Sequence, residues 1–245
     1  MLWLRMNRPE VFNALSGEMA VALASSIEEA TSRADVRVVV LTGTGPAFST
    51  GADIGGEDAH ERFDVRALDA ANRIIRAIVH CDKPVVAAVN GIAAGVGASA
   101  ALASDIIVAK ESATFLLAFA RIGLMPDGGT TASVAASIGR ARAMRMALLA
   151  EPLTGQEAHD AGLVTHVVAD ADFDALVARL ARRLASGPPL AYAASKKAIN
   201  AATLDQLEGA LERERSGQTV LLRTADVAEG MRSFSERRRP EFRGE

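Results

Sequence analysis

The chain has 245 residues, of which 49% are hydrophobic and 23% charged, a composition that excludes general disorder. Its 27 basic and 30 acidic residues give a net charge of −3, so it lacks the basic surplus that a dedicated nucleic-acid binder needs. One cysteine and four scattered histidines offer no metal-ligand spacing, and no apolar run reaches the roughly 20 residues that cross a bilayer. We therefore expect a soluble, cytoplasmic protein with no metal site and no nucleic-acid or membrane partner.

The first half of the chain alternates between short apolar runs and helical periods. β-Branched runs predict buried strands, and apolar residues three and four positions apart predict helices. In chain order the predicted elements are a strand over 37–42, a helix over 61–81, a strand over 83–89, a small-residue helix over 95–104 and a strand over 105–109. Strands separated by helices predict right-handed crossovers and a mostly parallel sheet, so the expected fold class is α/β.

Helices dominate the chain after residue 128. They are predicted over 130–138, 140–149, 154–161, 172–185, 189–201, 204–222 and 225–238, with one short strand over 163–168. The clearest break is Ser186-Gly-Pro-Pro189, because proline suits the start of a helix. We divide the chain into an α/β core over 1–186 and a C-terminal helical region over 187–245. Helices too few to bury their own apolar faces need a core or another subunit.

Glycine concentrates in three loops near predicted strand ends: 47–54, 90–99 and 123–129. Glycine lets backbone approach a ligand closely, and ligands of open α/β sheets bind beyond the carboxyl ends of the strands. Two such loops can each aim a backbone N–H at one oxygen, which forms an oxyanion hole. Each loop taken alone is more typical of a tight turn.

Two other site types fit the sequence poorly. Gly95-Val-Gly-Ala-Ser-Ala100 matches the letters of a dinucleotide fingerprint, but five residues separate it from the strand that it should follow directly. The chain also has no G-x-S-x-G elbow, which argues against a serine hydrolase of that fold.

Five stretches together resemble the enoyl-CoA hydratase/isomerase (crotonase) family, in the family's order and over nearly the whole chain. They are Asn7–Leu15, Phe48–Ile54, Lys83–Gly91, Thr154–Val164 and Glu229–Phe242. The first strand is short, since only Leu2 to Met6 precede the first of them. The resemblance implies a spiral of ββα turns, C-terminal helices that form trimers, and pairing of trimers into hexamers. It also implies an acyl-CoA thioester ligand, with coenzyme A entering as part of the substrate and no other cofactor.

The resemblance assigns roles to individual residues. By position, the N–H groups of Ala52 and Val96 would bind the thioester oxygen. Valine is acceptable at 96 because the donor is main chain. Residues along the CoA path would be Val11, Ser49, Asp53 and Ile54, and residues at its nucleotide end would be Phe234 and Arg237, from the same or a neighbouring subunit. An arginine beside a phosphate makes charge-assisted hydrogen bonds.

The sequence departs from the family at two catalytic positions. Hydratases of this family use two glutamates, and the matching positions here hold Ser99 and Phe119, which remain candidate substrate-binding residues. Neither side chain ionises at neutral pH, so water addition by a two-carboxylate route is impaired. One carboxylate remains nearby, Asp127, in a Pro-Asp motif. That motif resembles the branch of 1,2-epoxyphenylacetyl-CoA isomerases and Δ3-Δ2-enoyl-CoA isomerases, where this Asp is the acid/base.

Asp127 also suits the N-cap of the helix predicted from Thr130, so both roles stay open for it. The leading hypothesis is an isomerase in which Ala52 and Val96 hold the oxygen and Asp127 moves a proton. The alternatives are an enoyl-CoA hydratase with atypical acids and a catalytically weak acyl-CoA-binding protein.

Overall fold

The computed structural model describes residues 1–55 and 64–245. Its strands form two sheets. The strands are β1 (Leu2–Met6), β2 (Val39–Gly43), β3 (Ala47–Ser49), β4 (Val85–Val89), β5 (Ile92–Ala94), β6 (Ile106–Lys110), β7 (Thr114–Leu116), β8 (Leu153–Thr154) and β9 (His166–Val168). The larger sheet is parallel throughout with the order β1-β2-β4-β6-β9, and the smaller has the order β3-β5-β7-β8, of which only the β7–β8 pair is antiparallel.

The helices among the described residues follow the strands in a repeating pattern. They are α1 (Gly17–Ser32), α2 (Val65–His80), α3 (Val96–Leu102), α4 (Thr130–Ile138), α5 (Arg140–Leu149), α6 (Gly155–Asp160), α7 (Phe173–Ser186), α8 (Pro189–Thr203), α9 (Leu207–Leu221) and α10 (Ala225–Ser235). A long strand, a short strand and a helix recur as β2-β3-α2 and β4-β5-α3. The predicted α/β fold with ββα turns is therefore confirmed.

The central strands β2 and β4 of the larger sheet are buried on both faces. On β2, Val39 and Leu41 face the main core, whereas Val40 faces a second cluster with Phe173 and Val177 of α7. A strand covered on both sides has no polar face, which explains the continuous apolar runs in the sequence.

The C-terminal helices differ in how they pack. Leu211 of α9 and Met231 of α10 belong to the main core, so these helices share the hydrophobic core of residues 1–186. By contrast, α8 buries none of its residues, and Lys196 holds it to the body through an ion pair of 2.8 Å with Asp105. The C-terminal region thus has no separate core of its own among the described residues.

Several predicted elements differ from the structure by one to three residues at an end, and two helices differ by more. Helix α1 was not predicted, because its buried face is rich in alanine; its N-cap Ser16, which accepts a hydrogen bond from the Met19 amide at 3.2 Å, was the missed signal. The helix predicted over 61–81 runs from Val65 to His80 with Asp64 as its N-cap, and residues 61–63 lie outside the described part of the chain. None of the helices in the described ranges is both long and apolar enough to cross a membrane.

Candidate active site

Two cavities meet at a common wall in the middle of the molecule. The first, of about 510 Å³, lies between the starts of α1 and α2, and we call it the α1–α2 cavity. The second, of about 480 Å³, lies between the loop after β3, the 3₁₀ helix Ala118–Ile122 and α10, and we call it the α10 cavity. Both are lined by Ala52, Asp53, Val96 and Asp127. The structure therefore brings the three predicted catalytic residues together.

The topology explains why the loops of Ala52 and Val96 converge. Ala52 follows β3 and Val96 follows β5, and these strands are parallel neighbours whose carboxyl ends share one edge of the sheet. Gly51, with φ of +93°, allows the close approach: a Cβ there would lie 3.1 Å from the Val96 nitrogen and 3.0 Å from the Ala94 oxygen. A side chain at position 51 would push the two loops apart.

The amides of Ala52 and Val96 are free donors. The residues flanking Ala52 are held by Leu15, whose N–H donates to Gly51 O at 2.7 Å and whose O accepts from Asp53 N at 3.1 Å. Within residues 1–55 and 64–245, the Ala52 amide donates to no protein group. Val96 is the first residue of α3, so its N–H has no acceptor within the helix. Two unsatisfied N–H donors on one cavity wall are the components of an oxyanion hole.

Asp127 is a buried carboxylate with one oxygen unpaired. It is 3% exposed, and its Oδ2 accepts a hydrogen bond of 3.0 Å from Gln218 Nε2. Its Oδ1 is buried without a hydrogen-bond partner in the described structure. Burial raises the pKa of Asp127 to about 7, the Gln218 hydrogen bond opposes this rise, and the nearby negative charge of Glu214 adds to it. A carboxyl group in this state exchanges a proton near neutral pH.

A tight turn places Asp127 against α3. The next residue, Gly128, has φ of +65°, and a Cβ there would lie 2.6 Å from the Ser99 Cβ. Ser99 is itself buried, and its hydroxyl lies within hydrogen-bond distance of Asp127 O at 3.0 Å and Gly95 O at 3.3 Å. Ser99 therefore joins the turn to α3 and lines neither cavity.

The N-cap interpretation of Asp127 is wrong. The N-cap position of α4 is Gly129, and no side chain of the N-cap residue closes the helix. Instead, the side chain of Glu214 on α9 caps the start of α4, although it lies 85 residues after Gly129 in the sequence. Its Oε2 accepts from Gly129 N at 2.7 Å, and its Oε1 accepts from Thr131 N at 3.0 Å. The Asp127 carboxylate therefore takes no part in capping α4.

The residues predicted along the CoA path divide into two groups. Those that line the α10 cavity are Val11, Asp53, Ile54, Phe119 and Phe234. Ser49 does not, because it is fully buried and its hydroxyl donates to Asn13 O at 2.9 Å while accepting from Gly51 N at 3.2 Å. Arg237 lies on the surface after α10, outside the lining of both cavities.

Sequence reasoning missed Gln218 and Glu214. Both are almost fully buried, at 0% and 1% exposure, and both lie on the α9 face that also buries Leu207 and Leu211. The available signal was their spacing: polar residues at 214 and 218 continue an apolar stripe with helical period. A buried polar group on such a stripe needs a partner, and here both partners belong to the segment around Asp127.

An α/β fold with two unpaired amides and a buried acid on shared cavity walls, among the residues that the structure describes, is the kind of site that enzymes use. Comparison with known proteins gives its family. The family model described as enoyl-CoA hydratase/isomerase matches residues 1–245. The chain belongs to the enoyl-CoA hydratase/isomerase family, as the resemblance in its motifs had indicated.

Individual relatives carry different activity names. The chain is 42% identical to a probable enoyl-CoA hydratase of Rhodobacter capsulatus, covering 98% of this chain and 93% of that protein. It is 37% identical to 1,2-epoxyphenylacetyl-CoA isomerase of Escherichia coli, covering 98% and 94%. Among solved structures, an enoyl-CoA hydratase from Mycobacterium avium subsp. paratuberculosis K-10 superposes with a TM-score of 0.92 at 47% identity, covering 98% and 94%. The relatives thus establish the family and leave the choice between isomerase and hydratase to the chemistry of the site.

Proposed function

We propose that this enzyme is an acyl-CoA isomerase that isomerises a double bond or a ring in the acyl group of a thioester. The amides of Ala52 and Val96 hold the thioester oxygen, and Asp127 moves one proton between two carbons of the acyl group. The observation that carries the proposal is a buried carboxyl group, that of Asp127 with its unpaired Oδ1, in a residue that lines the same cavities as Ala52 and Val96.

The proposed reaction needs one base and one oxyanion site. The Asp127 carboxylate takes a proton from the carbon next to the thioester, and the C–H electron pair moves into the enolate, whose negative oxygen accepts hydrogen bonds from both amides. The protonated Asp127 then returns the proton to the γ-carbon, and the double bond ends conjugated with the thioester. Atoms balance, because the product has the mass of the substrate. Loss of one oxyanion donor typically costs about 10²–10³ in rate.

The electrostatics of Asp127 suit both halves of this reaction. A carboxyl group with a pKa of about 7 is half ionised at neutral pH, so it can act as base in one step and as acid in the next. The apolar side chains of Phe119 and Leu124 line the α10 cavity beside it, and they exclude water from the reacting carbons.

The positions of Ser99 and Phe119 argue against two-carboxylate hydration. Ser99 uses its hydroxyl on main-chain oxygens, and Phe119 presents a ring to the cavity. Asp127 is the one buried carboxylate among the residues described around both cavities. An isomerisation needs no second carboxylate, whereas activating water and protonating carbon are usually divided between two.

The second candidate function is an enoyl-CoA hydratase with atypical acids. It is favoured by the names of the Rhodobacter capsulatus relative and of the mycobacterial structure. In that case Asp127 alone would both orient the water and supply the proton. A third possibility is an acyl-CoA-binding protein of low activity, which the retained binding loops and the two replaced glutamates also permit.

We further propose that the enzyme works as a homotrimer or a dimer of trimers. The support is helix α8, which buries no residue within the chain and leaves Leu190 and Ile199 exposed by 84% and 61%. Sedimentation of the purified protein tests this, since a monomer over the working concentration range would contradict it.

The experiment that tests the function is a turnover screen of the purified protein with 2-enoyl-, 3-enoyl- and epoxide-bearing CoA thioesters, read by mass spectrometry. Isomerisation gives products of unchanged mass from the 3-enoyl or epoxide substrates. Products heavier by one water from 2-enoyl-CoA would favour the hydratase instead. Binding without turnover on the whole panel would favour the binding protein. Asp127→Asn serves as the matched variant in each assay.

A further inference from the structure

The side chain of Gln218 contacts Asp127, although the two residues are 91 positions apart in the sequence. Its Nε2 lies 2.9 Å from Met125 O and 3.0 Å from Asp127 Oδ2, so its two N–H groups have one acceptor each. Its Oε1 accepts a hydrogen bond from Met125 N at 3.3 Å. The main chain of Met125 thereby fixes which end of the amide faces Asp127. If the Gln218 amide were turned by 180°, its oxygen would face the acceptors Met125 O and Asp127 Oδ2. Its NH₂ group would then face the N–H donor of Met125.

This orientation makes the two oxygens of Asp127 unequal. Oδ2 accepts from an N–H donor, and a carboxyl O–H oxygen is a weaker acceptor than a carbonyl oxygen, so this hydrogen bond favours a proton on Oδ1 over one on Oδ2. Oδ1 has no partner among the described residues and is the oxygen available to a substrate proton. We propose that Gln218 is a positioning residue which keeps the transferable proton of Asp127 on Oδ1, and that Glu214, four residues earlier, holds the turn that presents it. This inference rests on the proposed role of Asp127 as acid/base.

Glu214 acts on the same segment through main-chain contacts. Its carboxylate accepts hydrogen bonds from the amides of Gly129 and Thr131, which begin α4 directly after the Asp127 turn. Gln218 binds the residues before and at Asp127, and Glu214 binds the residues after it. One helix face thus clamps the turn on both sides of the acid. A turn held at both ends restricts the carboxylate to one position, which a proton transfer over a short distance requires.

The two clamps have opposite electrostatic effects on Asp127. The amide of Gln218 donates to the ionised carboxylate and favours it, whereas the negative charge of Glu214 disfavours it. Other charged groups around the acid are already paired. On the cavity walls, Asp53 pairs with Arg8 at 2.8 Å and Asp64 pairs with Arg66 at 2.7 Å.

Two arginines complete the charged surroundings. The guanidinium of Arg121, on the wall of the α10 cavity, donates to Ala150 O at 2.7 Å. Arg213 acts on Glu214, where it favours the ionised form. We therefore expect a substitution of Gln218 to shift the pKa of Asp127 through the lost hydrogen bond, and a substitution of Glu214 to shift it through the lost charge.

The test is a direct titration of Asp127 in the purified, substrate-free protein. Aspartate labelled with ¹³C at the side-chain carboxyl is followed by NMR against pH, and the Asp127 signal is assigned by its loss in Asp127→Asn. Gln218→Met keeps the side-chain length and removes the donor, so the titration midpoint should move upward. Glu214→Gln removes the charge and keeps an acceptor for the helix start, so the midpoint should move downward.

The matched control is Val177→Ala on α7, in the second cluster on the other face of the larger sheet. It removes core packing away from the Asp127 turn, so it should lower the melting temperature and leave the titration midpoint in place. Opposite shifts in the two clamp variants with a fixed midpoint in the control support the proposal. An unmoved midpoint in Gln218→Met, or equal shifts in all three variants, would overturn it.

Turnover of a 3-enoyl-CoA gives the second readout. Gln218→Met should lower kcat by about tenfold or more, the range for a hydrogen bond to a charged group, with KM little changed. A rise in KM at constant kcat would overturn the positioning role. The titration does not depend on turnover, so it tests the effect of Gln218 and Glu214 on Asp127 separately from the proposed function. Full activity of Asp127→Asn would refute the proposed function and leave the titration result valid.

Discussion

The proposed oxyanion donors and the proposed acid of this site come from different parts of the residue: the donors are main-chain groups and the acid is a side chain. Ala52 and Val96 contribute main-chain N–H groups from loops that follow two paired strands. Asp127 depends on side chains, and its partner Gln218 lies 91 residues further along the chain. The main-chain half of the site, the amides of Ala52 and Val96, depends on the conformation of the backbone and tolerates many side chains. The side-chain half, Asp127 with Gln218, depends on the identity of the residue at each position. Substitutions in the two halves should therefore have very different consequences.

The largest effect is expected from Asp127→Asn. The amide keeps the size of the side chain and can still accept from Gln218, but it cannot take a proton from carbon. General acid–base groups contribute about 10²–10⁴ in rate, so kcat on a 3-enoyl-CoA should fall within that range. Steady-state assays with matched protein concentrations measure it. Turnover equal to that of the unaltered enzyme would remove Asp127 from the reaction.

The next largest effect is expected from replacing the Ala52 amide with an ester, by incorporation of lactic acid at position 52. This removes one N–H donor and changes no side chain, so kcat should fall by about 10²–10³. The same replacement at Thr44 is the control, because that amide donates to Met6 O at 2.9 Å in a loop outside both cavities. Equal losses at both positions would indicate damage to the fold instead of loss of an oxyanion donor.

A smaller effect concerns stability. Because burial raises the pKa of Asp127 from 3.8 to about 7, the folded chain binds this proton more tightly than the unfolded chain does. The resulting stabilisation is complete below pH 3.8 and is lost as the pH rises through about 7. The unfolding free energy of Asp127→Asn relative to the unaltered enzyme should therefore increase between pH 5 and pH 8, by about 3 kcal/mol. Urea unfolding at both pH values measures this, and a difference independent of pH would contradict the raised pKa.

The smallest effect is expected from Val96→Ala. The main-chain donor stays, so kcat should change by less than about tenfold, and the wider pocket should appear mainly in KM. A loss as large as that of the Ala52 ester would mean that the side chain, not the backbone, carries the function at this position.

The position of the proposed main-chain donors could be predicted from the sequence, for a physical reason. Glycine-rich loops after apolar strands mark the carboxyl edge of a parallel sheet, and the family motifs place Ala52 and Val96 within those loops. Ser49 lies in the same motif, yet it faces inward to Asn13, because side-chain direction on a three-residue strand depends on the register with its neighbour.

The side-chain half could be predicted only in part. Asp127 stands out as a carboxylate in a Pro-Asp-Gly turn, but the pattern alone favours capping, and only the family resemblance favours catalysis. The structure excludes the capping role because Glu214 fills it. That contact depends on how α9 packs over α4, and a single sequence does not encode a tertiary contact 85 residues apart in any local pattern.

The pH dependence of kcat/KM for isomerisation of a 3-enoyl-CoA tests the central claim most directly. Since the reaction starts with the ionised carboxylate, the rate of the unaltered enzyme should rise with pH and reach half its plateau near pH 7, the pKa of Asp127. The small residual rate of Asp127→Asn should show no such rise. The same midpoint in both proteins would contradict the claim that Asp127 carries the proton.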